Sequence, residues 1–263
     1  MYLIHQAALY LHIAVGACAL LLFWVPVFTR KGNLDHKRFG RYFATAMYVV
    51  AFSGIAMASL DLLLPLDMHG IGLELVGEEA DDAKSYVRNF ALFLLSLSFL
   101  VLTTTRQGWL AILHKADRGP LRHPLHSALC ITLMAVGLAL LINGIATGSI
   151  LFILFAGLEI VAGINCLRYN FKATLEPKEW WIEHLNGLIG SGIGAYTAFT
   201  VFGGSRLFSS LFTGSFADAA IVLWIAPGVI GAIAITVLSR RYRARFGGSW
   251  AIKRATFHSD LVR

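Results

Sequence analysis

Four ionisable side chains stand where apolar sequence has least use for them. His36, His126 and His184 each lie at or near the start of an apolar run, and Glu159 lies in the middle of one, in a chain of 263 residues that is 57% hydrophobic and 14% charged. An imidazole in hydrocarbon is costly unless paired, and is a functional candidate by default. Three imidazoles with an open position suit zinc or another divalent metal, and two from different helices suffice to hold haem b. The competing reading is structural, with interfacial histidines bonded to helix ends and lipid phosphates. The spacing contains no HExxH or HxxxH pattern and no carboxylate–histidine pair of known metal geometry. His12, about a turn and a half into the first apolar run, stands apart from the other three across most of a roughly 30 Å hydrocarbon core. With His5 or His69 it is a candidate for a second site on the other side, as an electron carrier spanning a membrane needs.

Glu159 is eleven residues from Gly148 and nine from Arg168. At about 1.5 Å per residue this puts it near the bilayer midplane, where a charge costs about 2.5–3.5 kcal/mol on insertion scales. It is expected to face the bundle interior and to be either neutral or paired, with Asn143, Asn165 or Asp61 as helpers. Its functional reading is a proton relay or cation site; its structural reading is a glutamic acid hydrogen-bonded to a neighbour.

The elements that carry these residues are helices in lipid. A mean hydropathy of +0.68 leaves too few polar residues to clothe a water-facing globule. Seven apolar stretches, each near the 20 residues a crossing needs, lie at about Ala7–Phe28, Tyr42–Leu64, Arg88–Thr105, Pro124–Asn143, Ser149–Arg168, Glu183–Phe202 and Asp218–Leu238. None alternates with a period of two, so each reads as an α-helix. The expected fold is an all-α polytopic bundle of seven helices, residues 1–238, followed by a basic tail, residues 239–263. Nineteen of the 22 Lys and Arg fall in alternate gaps and in that tail, leaving Lys84, Arg88 and Arg206 for the other side. This is the positive-inside pattern of a chain with its N-terminus outside and its C-terminus in the cytoplasm. Residues 1–11 contain no Lys or Arg, so the first helix reads as retained rather than as a cleaved signal.

The net charge of +7 follows from that topology and from attraction to anionic headgroups, and calls for no nucleic acid. The lipid bilayer is the partner the composition demands. Phe246 and Trp250 are placed to rest the tail on the inner leaflet, although a plain stop-transfer anchor explains it as well. The segment Pro65–Val87 carries Asp67, Glu74, Glu78, Glu79, Asp81 and Asp82 and reads as a solvated acidic loop. Cys18, Cys130 and Cys166 sit in apolar spans at unrelated spacings and indicate no disulfide. In the sixth span, Gly187, Ser191 and Ala195 share one face and Gly190, Gly194 and Ala198 the next, a spacing that lets helix backbones approach closely. That helix is expected to be central. The inward–turn–outward hairpins carrying His36, His126 and His184, two of them with the lead-ins Thr29-Arg30-Lys31-Gly32 and Thr105-Arg106-Gln107-Gly108, suggest a threefold repeat.

Several of these phrases together resemble an uncharacterised family of bacterial polytopic membrane proteins: Leu11-His12-Ile13-Ala14-Val15-Gly16-Ala17-Cys18-Ala19-Leu20, Arg30-Lys31-Gly32, His36-Lys37-Arg38-Phe39-Gly40-Arg41, Trp181 with His184, Gly190-Ser191 and Thr197-Ala198-Phe199. Lys37 departs from the family's arginine after the histidine, and Leu188 from its frequent methionine. The resemblance implies a bacterial cytoplasmic membrane location and no activity. The basic turn with a histidine at a helix start is also similar to di-haem cytochrome b proteins, which ranks haem among the expectations. With no Walker loop, GxSxG or dinucleotide fingerprint, three functions stay open. They are a histidine-based metal or haem protein, a proton-coupled small-solute carrier using Glu159, and a non-catalytic membrane assembly protein.

Overall fold

The computed structural model describes residues 2–68, 75–204 and 216–247. The described elements are all helical: α1 (Tyr2–Phe28), α2 (Leu34–Leu63), α3 (Glu78–His114), a single turn α4 (Gly119–Arg122), α5 (Pro124–Thr147), α6 (Ile150–Phe171), α7 (Glu179–Ala198) running into a π-helical turn (Phe199–Gly204), and α8 (Phe216–Phe246). Each expected apolar stretch lies largely within one of these helices, but the ends differ. α3 extends ten residues before the expected Arg88 and nine beyond Thr105, because Glu78, Glu79 and Asp81 fall in its first turn, where negative charge offsets the positive end of the helix dipole. Four of the six acidic residues expected in a loop, Glu78, Glu79, Asp81 and Asp82, are therefore in helix.

Among the described residues six helices are long and apolar enough to cross a membrane: α1, α2, α3, α5, α6 and the Trp224–Phe246 part of α8. The expected sixth crossing, α7, is helical for 20 residues but is not one of them. Glu179, Glu183, His184 and Asn186 crowd its first two turns, and glycines dilute the rest. The pattern of exposure agrees with lipid as solvent. Leu3, Ile4, Ile13, Leu21 and Phe28 are exposed, whereas Asp61, Gln107, His126, Glu159 and Asn170 are buried, the reverse of what water selects. This is a multi-pass membrane protein.

The chain forms two compact units, one of Met1–Thr103 with Ala128–Asn165 and one of Thr104–Ser127 with Cys166–Arg263, so α3, α5 and α6 each give part of their length to both. In the first, α1 and α2 pair as a hairpin. Asn33 opens α2 by accepting from the His36 backbone N–H at 2.7 Å, which satisfies one of the orphan amides of a helix start. The α5–α6 hairpin turns at Gly148, whose φ of +66° suits glycine. In the second unit α7 packs against α8, and Trp181 meets Tyr242 and Phe246 with ring centroids 3.9 and 5.6 Å away. Phe246 is thus held by a ring of α7; Trp250 lies outside the described residues.

Candidate functional site

The first unit holds Glu159, tenth residue of the 22-residue α6 and fully buried. α3 brings Ser96 beside it, but the Ser96 hydroxyl donates to the Phe93 carbonyl at 2.8 Å, and neither carboxyl oxygen of Glu159 has a hydrogen-bond partner. α5 closes in from another side, since a Cβ at Gly137 would stand 3.2 Å from the Cβ of Glu159. Two of the expected helpers are engaged elsewhere. Asn143 donates to Asn89 at 3.0 Å, and Asp61 faces His5 Nε2 at 3.2 Å. Ser96 was the residue to look for, and its only sequence signal is a hydroxyl in an apolar run.

The remaining histidines of this unit stitch the α1–α2 hairpin together. His5 meets Asp61, both buried. His12 Nδ1 lies 2.8 Å from Ser53 Oγ; Ser53 spends its own hydrogen on the Val49 carbonyl at 2.7 Å, so the imidazole is the donor. His36 Nδ1 donates to the Pro26 carbonyl at 3.1 Å. Beside it the Lys31 ammonium bonds the Pro26 and Val27 carbonyls, closing the C-terminal end of α1 as a cation should. Of the partners expected for His12, His5 meets Asp61, and His69 lies outside the described residues.

The second unit holds a polar cluster centred on Gln107 of α3, a residue the sequence reading passed over. Its Nε2 donates to Asn170 Oδ1 of α6 at 2.9 Å and to Glu183 Oε1 of α7 at 2.8 Å. Its Oε1 faces His126 Nε2 of α5 at 2.6 Å. A carboxylate only accepts, so the amide turns its NH2 to Glu183 and its carbonyl to His126, and His126 Nε2 must donate. Gln107, His126 and Asn170 are fully buried or within 1% of it. The Asn170 Nδ2 and the Tyr169 hydroxyl have no hydrogen-bond partner.

Around this cluster the chain is tightly fixed. Arg118 bonds the carbonyls of Tyr169, Lys172 and Ala173, and Arg122 those of Asn170 and Lys172, so two guanidinium groups cap the orphan carbonyls that end α6. Glu179 pairs with Lys172 at 2.9 Å and accepts from the Glu176 backbone N–H. His184 Nδ1 donates to the Gly108 carbonyl at 3.0 Å. A Cβ at Gly187 would lie 2.6 Å from the Cα of Gly108, so α3 and α7 cross there backbone to backbone. Ser191 is fully buried, with Gly190 and Gly194 half-buried.

Comparisons with protein-family models, with curated proteins and with solved structures find no match to this chain. Its chemistry therefore rests on these contacts. Among the described residues no three His, Cys, Asp or Glu side chains converge as a metal ion requires, so the expected centre of His36, His126 and His184 is not assembled. Each imidazole instead has a neighbour on an adjoining segment, and His126 presents its Nε2 to Gln107. His36 and His184 each give Nδ1 to a carbonyl, which is also how ligating histidines are oriented. The cluster around Gln107 holds helices; Glu159, fully buried beside Ser96, is the group with chemistry to spare.

Proposed function

We propose that this protein is a proton-coupled carrier of the bacterial cytoplasmic membrane, crossing it seven times with the N-terminus outside, and that Glu159 takes up and releases the coupling proton. The observation that carries the reading is a fully buried carboxyl with no hydrogen-bond partner, midway along a membrane-spanning helix. Fixed structural carboxyls are paired or bonded, because an isolated one is costly in such surroundings. A carboxyl with no charged partner there is placed to take up and release a proton. The location follows from the family resemblance and the orientation from the basic gaps, with α7 as the sixth crossing.

The test is proton flux. In liposomes containing the purified protein and a trapped pH-sensitive dye, an imposed pH gradient is expected to collapse faster than in empty liposomes. Glu159→Gln, which keeps the shape and removes the titrating oxygen, should lower that flux at least tenfold. Equal fluxes in both proteins would remove Glu159 from the mechanism.

A further inference from the structure

Where the chain passes from α2 to α3, residues 63–67 together with Lys84 and Arg88 line a cavity of about 190 Å³. Nineteen of the 22 Lys and Arg lie in the alternate gaps and the tail, and two of the remaining three are these. Four residues apart on α3, they share a face of the helix. Arg88 gives Nε to the Leu62 carbonyl at 3.3 Å, which leaves Nη1 and Nη2 without a partner among the described residues. Lys84 pairs with Asp81 at 2.9 Å, but the Asp81 side chain is 78% exposed, and surface pairs of this kind are weak enough to give way to a better-placed anion. Asp67 is exposed, and its carboxylate has no ion-pair or hydrogen-bond partner among the described residues.

Both signs of charge therefore line one cavity. A bare anion held by Lys84 and Arg88 would meet Asp67, and a bare cation held by Asp67 would meet the two bases. A zwitterion whose phosphate and ammonium are joined by a short linker satisfies all three, and bonds from Lys and Arg to phosphate are among the strong ones. The volume is below the roughly 300–1,000 Å³ of pockets for drug-sized ligands, so the occupant is a small group. Its level along the helix points to the membrane surface. From Asn89 to Thr105 α3 carries no charged residue, so Lys84 and Arg88 stand where that helix leaves hydrocarbon, and Leu63 beside them is exposed, as a surface covered by acyl chains is. We propose that this cavity binds a phosphoethanolamine group, the phosphate on Lys84 and Arg88 and the ammonium on Asp67, and that the group is the headgroup of an ethanolamine phospholipid of the surrounding leaflet. The site is separate from Glu159 and does not rest on the carrier reading.

The test measures binding to the full chain in detergent, freed of lipid, with dioleoylphosphatidylethanolamine, dioleoylphosphatidylglycerol and free O-phosphoethanolamine as probes. The ethanolamine lipid is expected to bind about tenfold more tightly than the glycerol lipid, which offers a phosphate and no ammonium. Arg88→Gln should weaken the ethanolamine lipid about tenfold, the loss of a charge-assisted hydrogen bond. Asp67→Asn should erase the preference between the two lipids and leave the lipid-free unfolding temperature unchanged, which a loss of packing would not do. No binding of either lipid, equal binding of the two by the unaltered protein, undiminished binding by Arg88→Gln, or an undiminished preference in Asp67→Asn would overturn the lipid site. Free O-phosphoethanolamine that binds as tightly as the lipid, with the same dependence on Arg88 and Asp67, would keep the zwitterion chemistry and replace the lipid by a soluble ligand.

Discussion

Gln107 and Glu159 are both buried polar groups in apolar helices, yet they do different work. Gln107 uses its carbonyl and both amide hydrogens, on His126, Asn170 and Glu183. An amide of fixed tautomer does not pass protons along, so the cluster positions α3, α5, α6 and α7 rather than conducting. Gln107→Leu removes three hydrogen bonds at once, two of them to the buried His126 and Asn170, and is expected to cost about 3 kcal/mol, read as a lowered unfolding temperature in detergent. His126→Gln, which can still donate to the Gln107 carbonyl, should cost less than half of that. If Gln107→Leu unfolds with the unaltered protein, the cluster is not what ties these helices. Glu159 stood out in the sequence because a lone acid in an apolar run is costly. Gln107 did not, because an uncharged amide beside Arg106 reads as part of a polar helix end until its three partners are seen.

Helices are where sequence reading came closest and where its limits are plainest. Apolar length located seven helical stretches, since a run of about 20 residues without charge has few other uses. It placed their ends poorly, because a helix continues through polar residues once its amides are satisfied. α3 reaches 37 residues on those terms. The small residues of α7 were legible as a packing face, but which of them matter was not. A methyl at Gly187 would meet the α3 backbone 2.6 Å away, whereas one at Gly190 would find Thr104 Cγ2 at an ordinary 3.9 Å. Gly187→Ala is therefore expected to destabilise by about 1–3 kcal/mol through overpacking, and Gly190→Ala to leave the unfolding temperature nearly unchanged. Equal effects at the two positions would show that the crossing is looser than described.

For the molecule entire, the distribution of polarity sets the solvent, and the distribution of charge supports the orientation proposed above. With 19 of 22 Lys and Arg in alternate gaps and the tail, reporter tags are expected outside the membrane at the N-terminus and in the cytoplasm at the C-terminus. Both tags in one compartment would mean that α7 does not cross, and would make six the number of crossings. Hydropathy and charge settle by themselves that this chain is a helical multi-pass membrane protein, because the cost of burying backbone and charge in hydrocarbon depends on composition along the chain and on little else. They also single out Glu159, for the same reason. Only the tertiary structure decides which histidines meet which partners, that His36, His126 and His184 are separately engaged, and that Ser96 stands beside the carboxyl. Those are contacts between residues tens of positions apart, made by rotamer and helix rotation within an ångström, and no periodicity in the chain records them.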